Sequence, residues 1–231
     1  MLHIHGVPIS VHTRKVIVAA FAKGLAHELH EVVPVIPDNP PANWRELSPT
    51  GLIPVIEDEG FILADSSAIC AYLDRMHPQQ PLYPSEAKAF ARALWFEQYA
   101  GGTVFRNIVH PLFIEVFVQP NVHQIAPNQA RIDAVLDTAV PEVFGYLESQ
   151  LDTEGFLAGN AMSMGDVAIV SNLITFQYIG FTLDAQRYPK LSAFFDRVLA
   201  QPAMRKAIQA EQGAVQAMGL NATCVQEALA A

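Results

Sequence analysis

Cysteine is nearly absent from this chain of 231 residues: Cys70 and Cys224 stand far apart and form no CxxC pair, so neither a disulfide scaffold nor a thiolate zinc site is encoded. A reducing, cytoplasmic setting fits that usage. Cations are scarce as well, with 14 Lys and Arg against 23 Asp and Glu and a formal net charge of −9. No basic stripe is present to neutralise a phosphate backbone, which excludes nucleic acid as the expected partner. No apolar run reaches the roughly 18 residues of a membrane span. The start, Met1-Leu2-His3-Ile4-His5, lacks the charged and apolar regions of an export signal. A soluble, unexported protein without a membrane partner is expected. The eight histidines are scattered, with no HxxxH or HxH backed by a carboxylate, and no metal site is expected. What is abundant is apolar side chain, 51% of the chain against 16% charged, as in a globular protein of one or two domains.

The two parts of the chain differ in texture. Residues 1–78 alternate short strand-like runs with helical ones. Leu2 to Gly6 and His27 to Val33 suit strands, and Thr13 to Gly24 carries Val16, Ala19 and Ala20 at helical spacing before a glycine stop. A loop marked by Pro37, Pro40 and Pro41 leads to a short helix at Trp44 to Leu47. Ile53 to Glu57 and Phe61 to Leu63 flank the turn Asp58-Glu59-Gly60 as a hairpin, and Asp65 to Met76 closes the order βαβαββα as a helix. The proline-punctuated stretch His77 to Pro84 cannot continue a helix, and residues 79–85 are read as the linker. From 86 to 231 the strand signals vanish, and helices are expected over Glu86 to Val118, Asn128 to Leu151, Ser163 to Gly180 and Tyr188 to Ala200. The end from Gly213 carries no clear cap, and no role is assigned to it.

Three positions carry chemistry. Ser10 stands at the mouth of the first helix, where free N–H groups and the positive end of the dipole favour an anion and lower the pKa of a thiol held there. Taken singly, it serves equally well as an N-cap. Pro54 lies in a run that otherwise reads as a strand. A cis Ile53-Pro54 bond at the strand's start would turn the backbone of Ile53 outward to pair with an extended peptide, and an edge-strand proline without a ligand is the alternative. Asp65-Ser66 opens a helix and suits a ligand carboxylate, or is a simple cap.

Together, Gly6-x-Pro8-x-Ser10-x-x-Thr13-Arg14-Lys15-Val16, then Ser48 to Asp58 around Ile53-Pro54-Val55, then Asp65-Ser66-Ser67-Ala68-Ile69, resemble the glutathione transferase family, closest to its serine-using phi- and zeta-like branches. The resemblance extends to Phe156 to Asn160 and to Ser163-Met164-Gly165-Asp166, and so covers nearly the whole chain. It implies a thioredoxin-like α/β N-terminal domain holding glutathione as co-substrate, an all-α C-terminal domain supplying the second-substrate pocket, and no metal. It implies that Ser10 stabilises the glutathione thiolate, that Ile53 pairs by its backbone with the cysteinyl unit, and that Asp65 with Ser66 holds the γ-glutamyl end. Ser163 and Asp166, a Ser-x-x-Asp capping box with Met162 and Val167 as staple, are assigned to folding. One departure stands out. Similar proteins usually carry a Lys, Gln or other polar residue in place of Leu52 and often a Lys or His in the loop that here reads Asp38 to Asn43, so this chain lacks the cations that the resemblance implies for the glycyl carboxylate of glutathione.

In the helical half, Phe105, Arg106, Val109, His110 and Phe113 flank Pro111, which should kink the first long helix. They are candidates for the substrate pocket, with Arg106 suited to an anionic electrophile. The i, i+4, i+8 spacing of Phe105, Val109 and Phe113 fits burial in the core equally well. The expected activity is addition of the glutathione sulfur to an apolar electrophile by a homodimer. Isomerisation or dehalogenation by the same sulfur is the alternative chemistry, and a catalytically silent binding protein the alternative class. A disulfide-reducing role is disfavoured because residue 10 is serine, not cysteine.

Overall fold

The computed structural model describes residues 1–36, 39–223 and 225. Pro37, Asp38, Cys224 and the rest of the tail, named above, lie outside them. The N-terminal part is a four-stranded sheet with three helices: β1 (Leu2–Gly6), α1 (Val11–Ala22), β2 (His27–Glu31), α2 (Trp44–Leu47), β3 (Val55–Asp58), β4 (Phe61–Ala64) and α3 (Ser66–Met76). The sheet order is β2-β1-β3-β4, with β1 and β2 parallel and the other pairs antiparallel. This is a thioredoxin-like sheet. A parallel pair needs a crossover, and α1 supplies it. Along β1 the alternation works as a strand should: Leu2 and Ile4 are buried, while His3 and His5 take the opposite face. The β3–β4 turn is made by Glu59 and Gly60, both at positive φ (49° and 87°).

Several boundaries differ from the sequence expectation for local reasons. Helix α1 begins at Val11 because Ser10, in extended conformation, accepts a hydrogen bond from the Thr13 N–H and caps it. Strand β3 begins at Val55 and not at Ile53, since Pro54 has no N–H to give the ladder. Residues 77–86 carry no regular structure.

The remainder is helical: α4 (87–121), α5 (129–150), α6 (Met164–Tyr178), α7 (Pro189–Leu199) and α8 (Pro202–Ala217). The kink expected at Pro111 takes another form. Ala100–Val109, Ile114–Val118 and Val135–Ala139 are wound as π-type turns, and each runs up to a proline, Pro111, Pro120 and Pro141 respectively. A proline has no N–H and its ring crowds the carbonyl four residues back, so the preceding turn widens. Helix α6 is buried along its whole length and forms the axis of this half. Gly165 lets α4 come close, for a Cβ there would lie 2.7 Å from the Ala93 carbonyl. At its start the capping box forms: the Ser163 N–H (2.7 Å) and the Leu157 N–H (2.8 Å) both donate to Asp166, whose carboxyl burial pushes up in pKa.

Helix α8 had no counterpart in the sequence expectation. It ties the two halves together. Arg14 of α1, fully buried, donates from Nε to Glu211 of α8 at 2.9 Å, from one terminal nitrogen to the Ser171 carbonyl of α6 at 2.7 Å and from the other to the Ile9 carbonyl at 3.1 Å. The Tyr178 O–H closes the network on Glu211 at 2.7 Å. Breaking such a buried pair from one side costs about 3–5 kcal/mol. Among the described residues no helix is long and apolar enough to cross a membrane.

Candidate active site

A cleft of about 630 Å³ opens where the N-terminal ends of α1 and α3 meet the segment before β3, with α4 as the opposite wall. It brings together residues far apart in sequence. Leu52, Ile53 and Pro54 line it from one side, Asp65 and Ser66 from the floor, and Phe105 with Arg106 from α4. The Ile53–Pro54 bond is cis. Ser10 is half-buried and stands outside the lining, while its successors Val11 and His12 are part of it. Its Oγ is 3.4 Å from the Thr13 N–H, a long bond that leaves the hydroxyl hydrogen free to turn to another acceptor.

Val109, His110 and Phe113 lie outside the lining. Val109 is buried in the core, His110 is exposed and faces the Phe105 ring at 5.4 Å, and Phe113 stacks on Phe117 at 5.1 Å. The π-type winding of Ala100–Val109 accounts for this, because residues four apart no longer share a face where the turn is widened. Gly101 and Gly102 are the small residues of that wall, and Gly101 faces the His12 ring.

The floor contains a polar network that local sequence does not announce. Lys15, one turn into α1, places its Nζ 2.7 Å from Glu97 Oε1 of α4 and within 3.2 and 3.0 Å of the Ser66 and Ser67 hydroxyls. The Tyr83 O–H donates to the other Glu97 oxygen at 2.6 Å. Asp65 is the N-cap of α3, and one of its oxygens accepts the Ser67 and Ala68 N–H groups at 2.9 and 3.0 Å. Its φ of 79° is one that L side chains rarely adopt, and such strained backbone clusters at ligand sites. Asn172 of α6 also reaches the cleft, with its Nδ2 on the Ala168 carbonyl at 2.9 Å.

Two titratable groups have their charge set by this setting. Burial, with Lys15 nearby, pushes His12 down to about 4, so its imidazole is neutral at neutral pH, edge-on to Phe105 at 4.8 Å. Burial pushes the Cys70 thiol well above its ordinary value, which makes it an inert core residue. His12, Lys15, Glu97 and Asn172 were not singled out from sequence. Glu97 offered one signal, a lone acid directly after the apolar run Ala93-Leu94-Trp95-Phe96.

Chemically, the cleft offers the N-terminus of α1, suited to an anion, with the Ser10 hydroxyl next to it but outside the lining. It offers a second N-terminus with a carboxylate, a hydroxyl and an ammonium side by side, suited to a zwitterionic amino-acid group.

Residues 4–81 match the family model described as glutathione S-transferase, N-terminal domain, and residues 109–202 match that of the C-terminal domain. A glutathione S-transferase of Triticum aestivum is 26% identical over 212 residues, covering 90% of this chain and 93% of its own. A maleylacetoacetate isomerase of Pseudomonas aeruginosa is 28% identical over 170 residues, covering 73% and 76%. The solved structure of a glutathione S-transferase from Rhodospirillum rubrum F11 shares the fold with a TM-score of 0.80 at 23% identity, over 90% of this chain and 92% of that one. With both domain models matched in order over most of its length, the chain belongs to the glutathione S-transferase family.

Proposed function

We propose that the protein is a cytoplasmic glutathione transferase that adds the glutathione sulfur to a small apolar electrophile and works as a homodimer. The observation that carries this reading is the meeting of the α1 and α3 N-termini on one cleft, with Asp65, Ser66 and Lys15 grouped at the second. In this account the γ-glutamyl amine pairs with Asp65 and its carboxylate with the Ser66 hydroxyl, which the Lys15 ammonium donates to and so leaves free to donate onward. The backbone of Ile53 pairs with the cysteinyl unit. The sulfur then lies at the start of α1, where the Ser10 O–H donates to it and the dipole lowers its pKa. The thiol proton leaves to solvent, the S–C bond forms, and the leaving group departs with its bonding pair. The protein's share is a larger thiolate fraction and fixed orientation of the two reactants.

Leu52, 65% exposed on the cleft rim, gives the glycyl carboxylate no polar partner. Arg14 cannot substitute, being buried and fully engaged between the two halves. Glutathione affinity is therefore modest. Exposed apolar side chains, Phe61 and Ile62 on β4 and Phe90, Leu94 and Trp95 on α4, support burial against a second copy.

Retention on immobilised glutathione together with turnover of a dinitrohalobenzene tests the reading; failure of both would leave an apolar-ligand binding protein of the same fold. A second reading, cis–trans isomerisation of an acidic substrate by the same sulfur, is favoured by Arg106 in the cleft wall and by the name of the Pseudomonas aeruginosa relative.

A further inference from the structure

We propose that His3, Glu28 and His30 form a binding site for one divalent transition-metal ion of the zinc class on the half-exposed face of the N-terminal sheet. None of the three lines the cleft. The strand pairing makes the site. His3 faces Glu28 and His5 faces His30 across the parallel β1–β2 pair, so alternate residues of both strands share one face. The His3-Ile4-His5 run has no carboxylate near it in sequence, and the sheet supplies one.

The geometry of the donor atoms is specific. His3 Nδ1 and His30 Nε2 are 2.9 Å apart, and the same Glu28 oxygen lies 3.6 Å from the first and 3.9 Å from the second. A triangle with these sides has a circumradius of about 2.0 Å, so one point is equidistant from all three atoms at that length. Zinc–nitrogen and zinc–carboxylate bonds are about 2.0–2.2 Å. Two imidazoles and one carboxylate suit zinc, cobalt or nickel and not the all-oxygen preference of calcium or magnesium. The side chains are 39%, 54% and 39% exposed for His3, Glu28 and His30, so water reaches the remaining coordination positions.

His5 and Glu57 support one of the ligands from beside it. The His5 ring stacks on His30 at 5.0 Å, and its Nε2 is 2.7 Å from Glu57 Oε1, which fixes the face on which His30 rests. Without the ion, one of the two histidines donates its N–H to the other. With it, that ring takes its other tautomer and the two facing ring nitrogens each offer a lone pair to the metal. Because β2 is an edge strand, the ion clamps it to β1.

Cobalt(II) titration of the metal-free, tag-free protein, followed by visible absorption and by zinc displacement, is the test. One saturable equivalent is expected, with affinity roughly tenfold or more weaker in His3→Ala, His30→Ala and Glu28→Gln and unchanged in His123→Ala. Zinc should raise the melting temperature of the parent and not of His30→Ala. Absence of a saturable equivalent, or unchanged affinity in His30→Ala, overturns the proposal. Should an alanine variant fail to fold, Glu28→Gln decides, since it alters only the charge of an exposed ligand, and unchanged affinity there has the same consequence.

Discussion

Lys15 is the sharpest place to perturb the cleft, because one ammonium is bonded both to the fold and to the ligand-facing hydroxyls. Its side chain and that of Glu97 are 6% and 0% exposed, with 2.7 Å between the charges. Lys15→Met leaves the Glu97 carboxylate buried with the Tyr83 O–H as its remaining neutral donor. Removing one partner of a buried pair costs about 3–5 kcal/mol, whereas replacing both by apolar groups of similar volume is about neutral or stabilising by about 1–4 kcal/mol. Urea unfolding should therefore show Lys15→Met as the least stable variant and Lys15→Met/Glu97→Leu close to the parent. The interaction energy in the double-mutant cycle is expected near 3 kcal/mol, at the top of the usual range. Binding should separate from stability. The double variant folds but has no cation beside Ser66, so it loses a charge-assisted contact worth about 1.5–3 kcal/mol, or roughly ten- to a hundred-fold in glutathione Kd by calorimetry. A single variant as stable as the double, or a double variant that binds glutathione like the parent, would refute the reasoning.

Three further outcomes follow from the same geometry. Ser10→Ala should lower kcat/KM about ten- to a hundred-fold through loss of one hydrogen bond to the thiolate, and should raise the apparent pKa of the pH–rate profile; an identical profile removes Ser10 from the mechanism. Its stability cost is expected at the low end of the roughly 0.5–2 kcal/mol of an N-cap, because the Thr13 bond is long at 3.4 Å. Leu52→Lys should tighten glutathione binding several-fold, since an exposed ion pair contributes only ~0–1 kcal/mol, and calorimetry showing equal or weaker affinity would mean that the glycyl end lies elsewhere. His12, lowered from 6.5 to about 4, makes the folded state bind fewer protons than the unfolded one between those values. Stability is thus full above pH 6.5 and is lost as pH falls toward 4, by up to about 3 kcal/mol, and His12→Gln should flatten that limb of the unfolding curve.

Much of this fold was legible because its signals are local. The period-two run at Leu2 to Gly6, the glycine turn before β4 and the Ser-x-x-Asp box at Ser163 each determine their element within a few residues. Ser10, Ile53-Pro54 and Asp65-Ser66 were visible as a spaced set. The rest depended on distance in the chain. Lys15 meets Glu97 across 82 positions and Arg14 meets Glu211 across 197, and no periodicity announces such pairs. Helix α8 could have been anticipated from Pro202 at its first turn and from Met204, Ile208 and Glu211 on one face, but a run rich in Ala and Gln has a weak apolar stripe. At the cleft wall the spacing of Phe105, Val109 and Phe113 left pocket and core both open; Val109 is in the core and Phe113 packs against it, while Phe105 lines the cleft, because the stretch before Pro111 is wound more widely than an α-helix. His12 carries no signal of its own in sequence, since a single histidine near Ser10 looks like any other; it stands in the first turn of α1 and lines the cleft.

The central claim is that this cleft holds glutathione with its sulfur at the N-terminus of α1. Titration of the parent protein with glutathione across pH, read by thiolate ultraviolet absorbance, tests it most directly. The account predicts saturable binding of one glutathione per chain and a bound-thiol pKa below the ordinary value of about 8.5. No saturable binding, or a bound thiol that titrates like the free one, would contradict it.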